Sequence, residues 1–95
     1  GPATSVDQKP LLLNSPRPNY TEEARKNKIQ GPVIARVLVG ADGSVKQVKI
    51  VRGLSDGLNE QAIQAAYQMR FRAAMKSGQP VAYWANNVEI TFSLR

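Results

Sequence analysis

Apolar residues along the chain switch between period two and helical spacing, and each stretch marks an element. Val33, Ala35, Val37 and Val39 alternate with Ile34, Arg36 and Leu38, so period two and β-branching predict a strand with one buried face. Ala41-Asp42-Gly43 follows as a hairpin signal, with Gly43 free to take positive φ. Val45, Val48, Ile50 and Val51 mark the returning strand. The slip from Val45 to Val48 breaks strict alternation and predicts a bulge after the turn. Leu58, Ala62, Ala65, Ala66 and Met69 then recur at helical spacing, opposite Glu60, Gln61, Gln64 and Gln68. Ser55 or Asp56 is expected to cap that helix. After the polar turn Lys76-Ser77-Gly78-Gln79-Pro80, the stretch 81–94 reads as one long strand. Its inward residues are Val88, Ile90, Phe92 and Leu94, with Glu89, Thr91 and Ser93 between them.

Upstream, Pro16-Arg17-Pro18-Asn19-Tyr20 is a stiff, extended segment, because a residue before proline avoids the helical region. Thr21 can cap a short helix whose first turn holds Glu22 and Glu23 and whose far end holds Arg25, Lys26 and Lys28, as the helix dipole favours. Gly31-Pro32 is expected to stop it. Residues 1–15 carry little pattern beyond Leu11-Leu12-Leu13. They are expected to be a disordered linker end, and Gly1-Pro2 matches the scar of a cleaved tag.

The order helix, strand, strand, helix, strand predicts an α+β domain over residues 16–95, preceded by a flexible N-terminal segment. Two helices would cover one face of a three-stranded antiparallel sheet, in the order second, first, last. The last strand would then be an edge, with a row of unpaired N–H and C=O groups.

Composition narrows the function. The chain has 95 residues, no Cys and no His. Disulfides, thiolate sites, Ser-His triads and the usual zinc sites are therefore excluded, no cofactor is implied, and an enzyme is not expected. Asp42-Gly43 and Ser55-Asp56-Gly57 are better read as a turn and a cap than as metal ligands. Thirteen basic against seven acidic residues give +6, which favours an acidic partner without choosing one. Lys46, Lys49 and Arg52 fit a solvated sheet face. Nucleic acid is not favoured, because Tyr67, Tyr83 and Trp84 do not interleave with the basic residues along the chain. Trp84 itself fits either the rim of the core or an exposed contact.

Several short motifs, taken in order, resemble one family. They are Pro18-Asn19-Tyr20 before a helix with Ala24, Ile29-Gln30-Gly31-X-Val33, Val39-X-X-Asp42-Gly43-X-Val45 and Val48-X-Ile50. Leu58-Asn59-X-X-Ala62, Arg70-Phe71-X-X-Ala74, Gly78-Gln79-Pro80-Val81 and Val88-X-Ile90-X-Phe92-X-Leu94 complete the set. Their order and spacing, over about four-fifths of the chain, resemble the C-terminal domain of TonB-like energy transducers. The family's Trp-Arg-Phe-X-Pro-Ala stretch reads Met69-Arg70-Phe71-Arg72-Ala73-Ala74 here, a change that a flexible apolar Met can absorb.

The resemblance implies a periplasmic domain on a Pro-rich linker. The linker would lead to an inner-membrane helix outside these 95 residues, where the ExbB–ExbD motor engages. The partner implied is the Ton box, a short peptide of an outer-membrane transporter, gripped by strand addition and pulled. Candidate contact residues are then the backbone of Asn87, Val88, Glu89, Ile90, Thr91, Phe92, Ser93 and Leu94, with Arg17 and Pro18 nearby. The alternative is a TolA-like envelope scaffold that binds peptidoglycan or a non-transport envelope protein. An open edge is also able to pair two copies of the chain.

Overall fold

Gly31–Val39 forms the spine of the fold, and its alternation is why. Val33, Ala35, Val37 and Val39 are fully buried, whereas Ile34, Arg36 and Leu38 are half-buried on the opposite face. The computed structural model describes residues 1–95. In chain order the elements are β1 (Leu11–Leu12), α1 (Glu22–Lys26), β2 (Gly31–Val39), β3 (Val45–Arg52) and α2 (Leu58–Tyr67). They continue with β4 (Phe71–Arg72), β5 (Ala74–Lys76), β6 (Gln79–Val81) and β7 (Tyr83–Phe92). No helix is long and apolar enough to cross a membrane.

The main sheet runs β3-β2-β7, antiparallel throughout. One core joins it to both helices: Ala24 of α1, Leu58, Ala62, Ala65 and Ala66 of α2, and Ile90 and Phe92 of β7. The β2–β3 turn closes with the Gly40 N–H donating to the Ser44 carbonyl at 2.8 Å. Gly43 stands there at φ +84°, and an added Cβ would collide with the Phe71 carbonyl. The Phe71 N–H donates back to the Gly43 carbonyl at 2.9 Å, so this turn also fixes the start of β4. Beyond it, Leu38 pairs with Gln47 and Val39 with Val45, leaving Lys46 as the bulged residue. A second bulge lies at Val51, between the pairs Ile34–Arg52 and Ala35–Ile50.

Thr21 caps α1 as its sequence predicts. Its Oγ1 accepts the Ala24 N–H at 3.0 Å and its hydroxyl donates to the Asp56 carbonyl at 2.6 Å. The helix ends at Lys26, before Gly31-Pro32, because Lys28 turns left-handed at φ 55°. At α2 the expected side-chain cap is replaced by Gly57, left-handed at φ 79°, with the Leu58 N–H donating to the Ser55 carbonyl.

Four short strands enlarge the three-stranded plan. The stretch 81–94 is not one strand: β5 and β6 pair across Ser77-Gly78, both at positive φ, and β7 begins at Tyr83. Two consecutive left-handed residues make the tight hairpin turn that matches strand twist, and strands of three residues are too short to show a period.

The first fifteen residues, expected to be a disordered linker end, are instead laid along the domain. Leu11 and Leu12 pair with Arg72 and Phe71. The Ala3 N–H donates to the Ala82 carbonyl at 2.9 Å, and the Asp7 and Gln8 N–H groups both reach the Met75 carbonyl. Asp7 Oδ2 also accepts the Ser77 N–H at 2.8 Å. Leu11, Leu12 and Leu13 stay exposed. Main-chain bonds therefore hold this strap rather than apolar burial, and hydrophobic patterning carries no signal for it.

Candidate functional site

Which side of β7 is open follows from one proline. Pro32 lies opposite Thr91. It has no N–H, so it fits a ladder only where its nitrogen faces away from the partner strand. Here that direction leads past the end of β3, which stops at Arg52. Two further bonds agree with this phase. The Gly40 N–H points to β3, so the even residues of the unbulged β2 face β3 and the odd ones face β7. The Leu94 N–H donates to Gln30 Oε1 at 2.8 Å, so the even residues at the end of β7 face inward. Ile90 and Phe92 thus exchange their backbone bonds with Val33 and Gly31. Glu89, Thr91 and Ser93 turn an N–H and a C=O each toward the open edge.

The side chains alternate in the same register. Ile90 and Phe92 are buried, and Glu89, Thr91 and Ser93 are exposed. A bulge interrupts this pattern upstream: Ala35 pairs with Val88 and Val37 with Ala85, and Asn87 sits left-handed at φ 56°. Asn86 turns there to accept the Arg36 Nε–H at 3.1 Å. The regular edge therefore begins at Val88, and Asn87 belongs to the bulge.

Facing that edge, Ser15–Tyr20 forms the second wall of a groove of about 710 Å³. The groove is lined by Ser15–Tyr20, Arg25, Met69 and Glu89–Arg95. Arg17 and Pro18 thus line the same groove as Glu89, Ile90, Thr91, Phe92, Ser93 and Leu94. Asn87 lines a smaller hollow of about 320 Å³ beside Lys9 and Pro10, and Val88 lines neither. Tyr20 anchors the wall: its hydroxyl donates to the Ile29 carbonyl at 2.7 Å, and its ring meets Phe92 edge-on. Arg25 lies over the same ring, 5.1 Å from its centroid.

Among the side chains along the groove, Arg17, Arg25 and Arg95 outnumber the single acidic one, Glu89. Sequence reasoning missed Arg25 and Arg95, because nothing in the linear pattern brings the end of α1 and the C-terminus to one cleft. Elsewhere, Trp84 lies opposite Leu38 on the sheet face away from the core, with Arg36 and Lys49 each 5.0 Å from its ring. The fold therefore gathers basic groups onto one aromatic ring that the chain order keeps apart. It makes a single cation-covered ring, not a row of stacking platforms.

This is a two-layer domain that presents an unpaired strand edge beside a cleft rich in guanidinium groups. Residues 16–94 match the family described as Gram-negative bacterial TonB protein C-terminal, and the chain belongs to that family. It is also 30% identical over 79 residues to Protein TonB of Vibrio cholerae serotype O1, a match that covers 82% of this chain and 32% of the relative. The chain thus spans about a third of that relative's length.

Proposed function

We propose that the groove between Ser15–Tyr20 and Glu89–Arg95 takes the Ton box of an outer-membrane transporter as an added strand. The domain works in the periplasm, has no catalytic step of its own, and passes on a pull generated by the ExbB–ExbD motor. That motor engages a part of the protein outside these 95 residues. The observation that carries the reading is the free backbone of Glu89, Thr91 and Ser93, turned toward a cleft already walled on its far side.

About six hydrogen bonds at roughly 0.5–1.5 kcal/mol each give on the order of 3–9 kcal/mol. Association costs roughly 4–15 kcal/mol. Backbone pairing alone is therefore weak, and contacts to Arg17, Arg25 and Arg95 must add to it. A weak grip suits a pulling device: hydrogen bonds along a strand loaded in shear resist together, and the partner leaves readily when the load ends.

Titrating the isotope-labelled chain with Ton-box peptides tests this. Amide shifts should concentrate at Glu89, Thr91, Ser93 and Arg17. Shifts confined to the Trp84 face would place the partner elsewhere.

A further inference from the structure

We propose that Asn14 is the positioning residue of the groove: its side chain fixes where the Ser15–Asn19 wall stands opposite Glu89–Ser93. The inference rests on the reading of that groove as the peptide site. Between Ser15 and Asn19 the chain makes no hydrogen bond to the rest of the protein. Pro16 and Pro18 have no N–H to give and lock φ, which makes the wall a stiff strip. A stiff strip without bonds of its own is placed by its two ends. At one end Tyr20 is seated on Phe92 and on the Ile29 carbonyl.

At the other end stands Asn14. Its Oδ1 accepts the Arg70 N–H at 2.8 Å and its Nδ2 donates to the Gln68 carbonyl at 3.2 Å. The adjacent Leu13 N–H donates to the Arg70 carbonyl at 2.8 Å. The Gln68 carbonyl lies just past α2, where helix carbonyls lack intrahelical donors. A carboxamide meets both needs because it donates and accepts at once. Asp accepts only, and Ala does neither. Leu11 is 50% exposed and Leu13 62%, so apolar packing adds little, and the two amide bonds set the wall's position relative to the end of α2.

The test uses Asn14→Ala and Asn14→Asp in the 95-residue chain, with the Ton-box peptide as probe. In the free N14A variant the Arg17 and Asn19 amide signals should move, while those of β2 and α2 stay. Peptide affinity should fall about three- to tenfold, with little change in melting temperature, as for an exposed site. N14D keeps the bond to the Arg70 N–H and should fall between N14A and wild type. Unmoved Arg17 and Asn19 signals, or wild-type affinity in N14A, would overturn the proposal. So would a loss of binding that tracks a general loss of fold. If the wild-type chain does not take the peptide along Glu89–Ser93, the groove reading fails instead. The Arg17 and Asn19 signals of the free variants then still decide whether Asn14 places the wall.

Discussion

Tyr20 and Phe92 meet edge to face, ring centroids 5.5 Å apart and planes at 81°. This contact joins the two walls of the groove, since Tyr20 ends the extended segment and Phe92 ends β7. The geometry is the one aromatic quadrupoles favour. The hydroxyl at the far side of Tyr20 holds the carbonyl of Ile29, which ties the same ring to the entry of β2. Tyr20→Phe keeps the ring and loses that bond. Denaturant unfolding should show a loss of about 0.5–1.5 kcal/mol, with peptide binding kept in the folded fraction. Tyr20→Ala removes the packing as well and should cost more stability and weaken binding. Equal effects from the two variants would mean that the ring contact does nothing for the groove.

Charge should act on the rate of encounter. Arg17, Arg25 and Arg95 stand around one cleft with Glu89 as its single acidic side chain, within a chain of net +6. Rim charges steer association and are screened by salt, whereas short-range strand pairing governs release. Raising ionic strength should therefore slow the association of an acidic Ton-box peptide more than it speeds dissociation. Arg17→Gln should flatten that salt dependence. An association rate indifferent to salt would separate the positive charge from the function.

Acid should weaken the β2–β3 turn through Asp42. Its carboxylate accepts first from the Ser44 N–H at 3.0 Å, then from the Ser44 hydroxyl at 2.8 Å and from Lys46 Nζ at 3.2 Å. These bonds hold its pKa well below the usual carboxylate value. A depressed folded-state pKa contributes stability that is complete above the ordinary carboxylate range, about pH 4, starts to fall below that range, and is lost only as pH falls through the depressed folded-state value. Asp42→Asn should therefore be less stable than wild type at neutral pH, and the gap should be smaller, though still open, at about pH 3. Urea midpoints of both proteins at the two pH values measure this. A gap that stays constant would show that the ionised form has no special role in the turn.

Much of this fold is legible in the amino-acid sequence, and the reason is burial. β2, α2 and the Val88–Phe92 part of β7 each bury one face, so period two or period 3.6 is written into them. The strap along β4, β5 and the start of β7 is silent for the opposite reason. It is held mostly by backbone groups, which every residue has, with only Asp7 and Asn14 adding side-chain bonds. The groove is half legible. The edge follows from strand order, and Arg17 and Pro18 from the family resemblance, but Arg25, Arg95 and Asn14 reach the site through tertiary contacts alone. Asn87 falls outside the edge because a left-handed bulge shifts the alternation. The direction of the edge is encoded at Pro32, but that proline means nothing until it is known to sit opposite Thr91.

That opposition yields the most direct measurement of strand addition. Amide-to-ester exchange removes one N–H at a time, and it can be run through residues 88–94. At Ile90 and Phe92 the lost N–H belongs to the β2 ladder, so stability should fall. At Glu89, Thr91 and Ser93 it points to the open edge. The domain should then stay folded by circular dichroism, while Ton-box affinity drops at the positions that the added strand engages. Thr91→Pro is the genetic form of the same test. An edge strand tolerates proline where its N–H faces out, and the ring would also block the incoming strand. The T91P variant should be folded, with a peptide affinity lower by about tenfold or more. A T91P variant that binds as wild type, or one that unfolds because the Thr91 N–H serves β2 after all, would contradict strand addition at this edge.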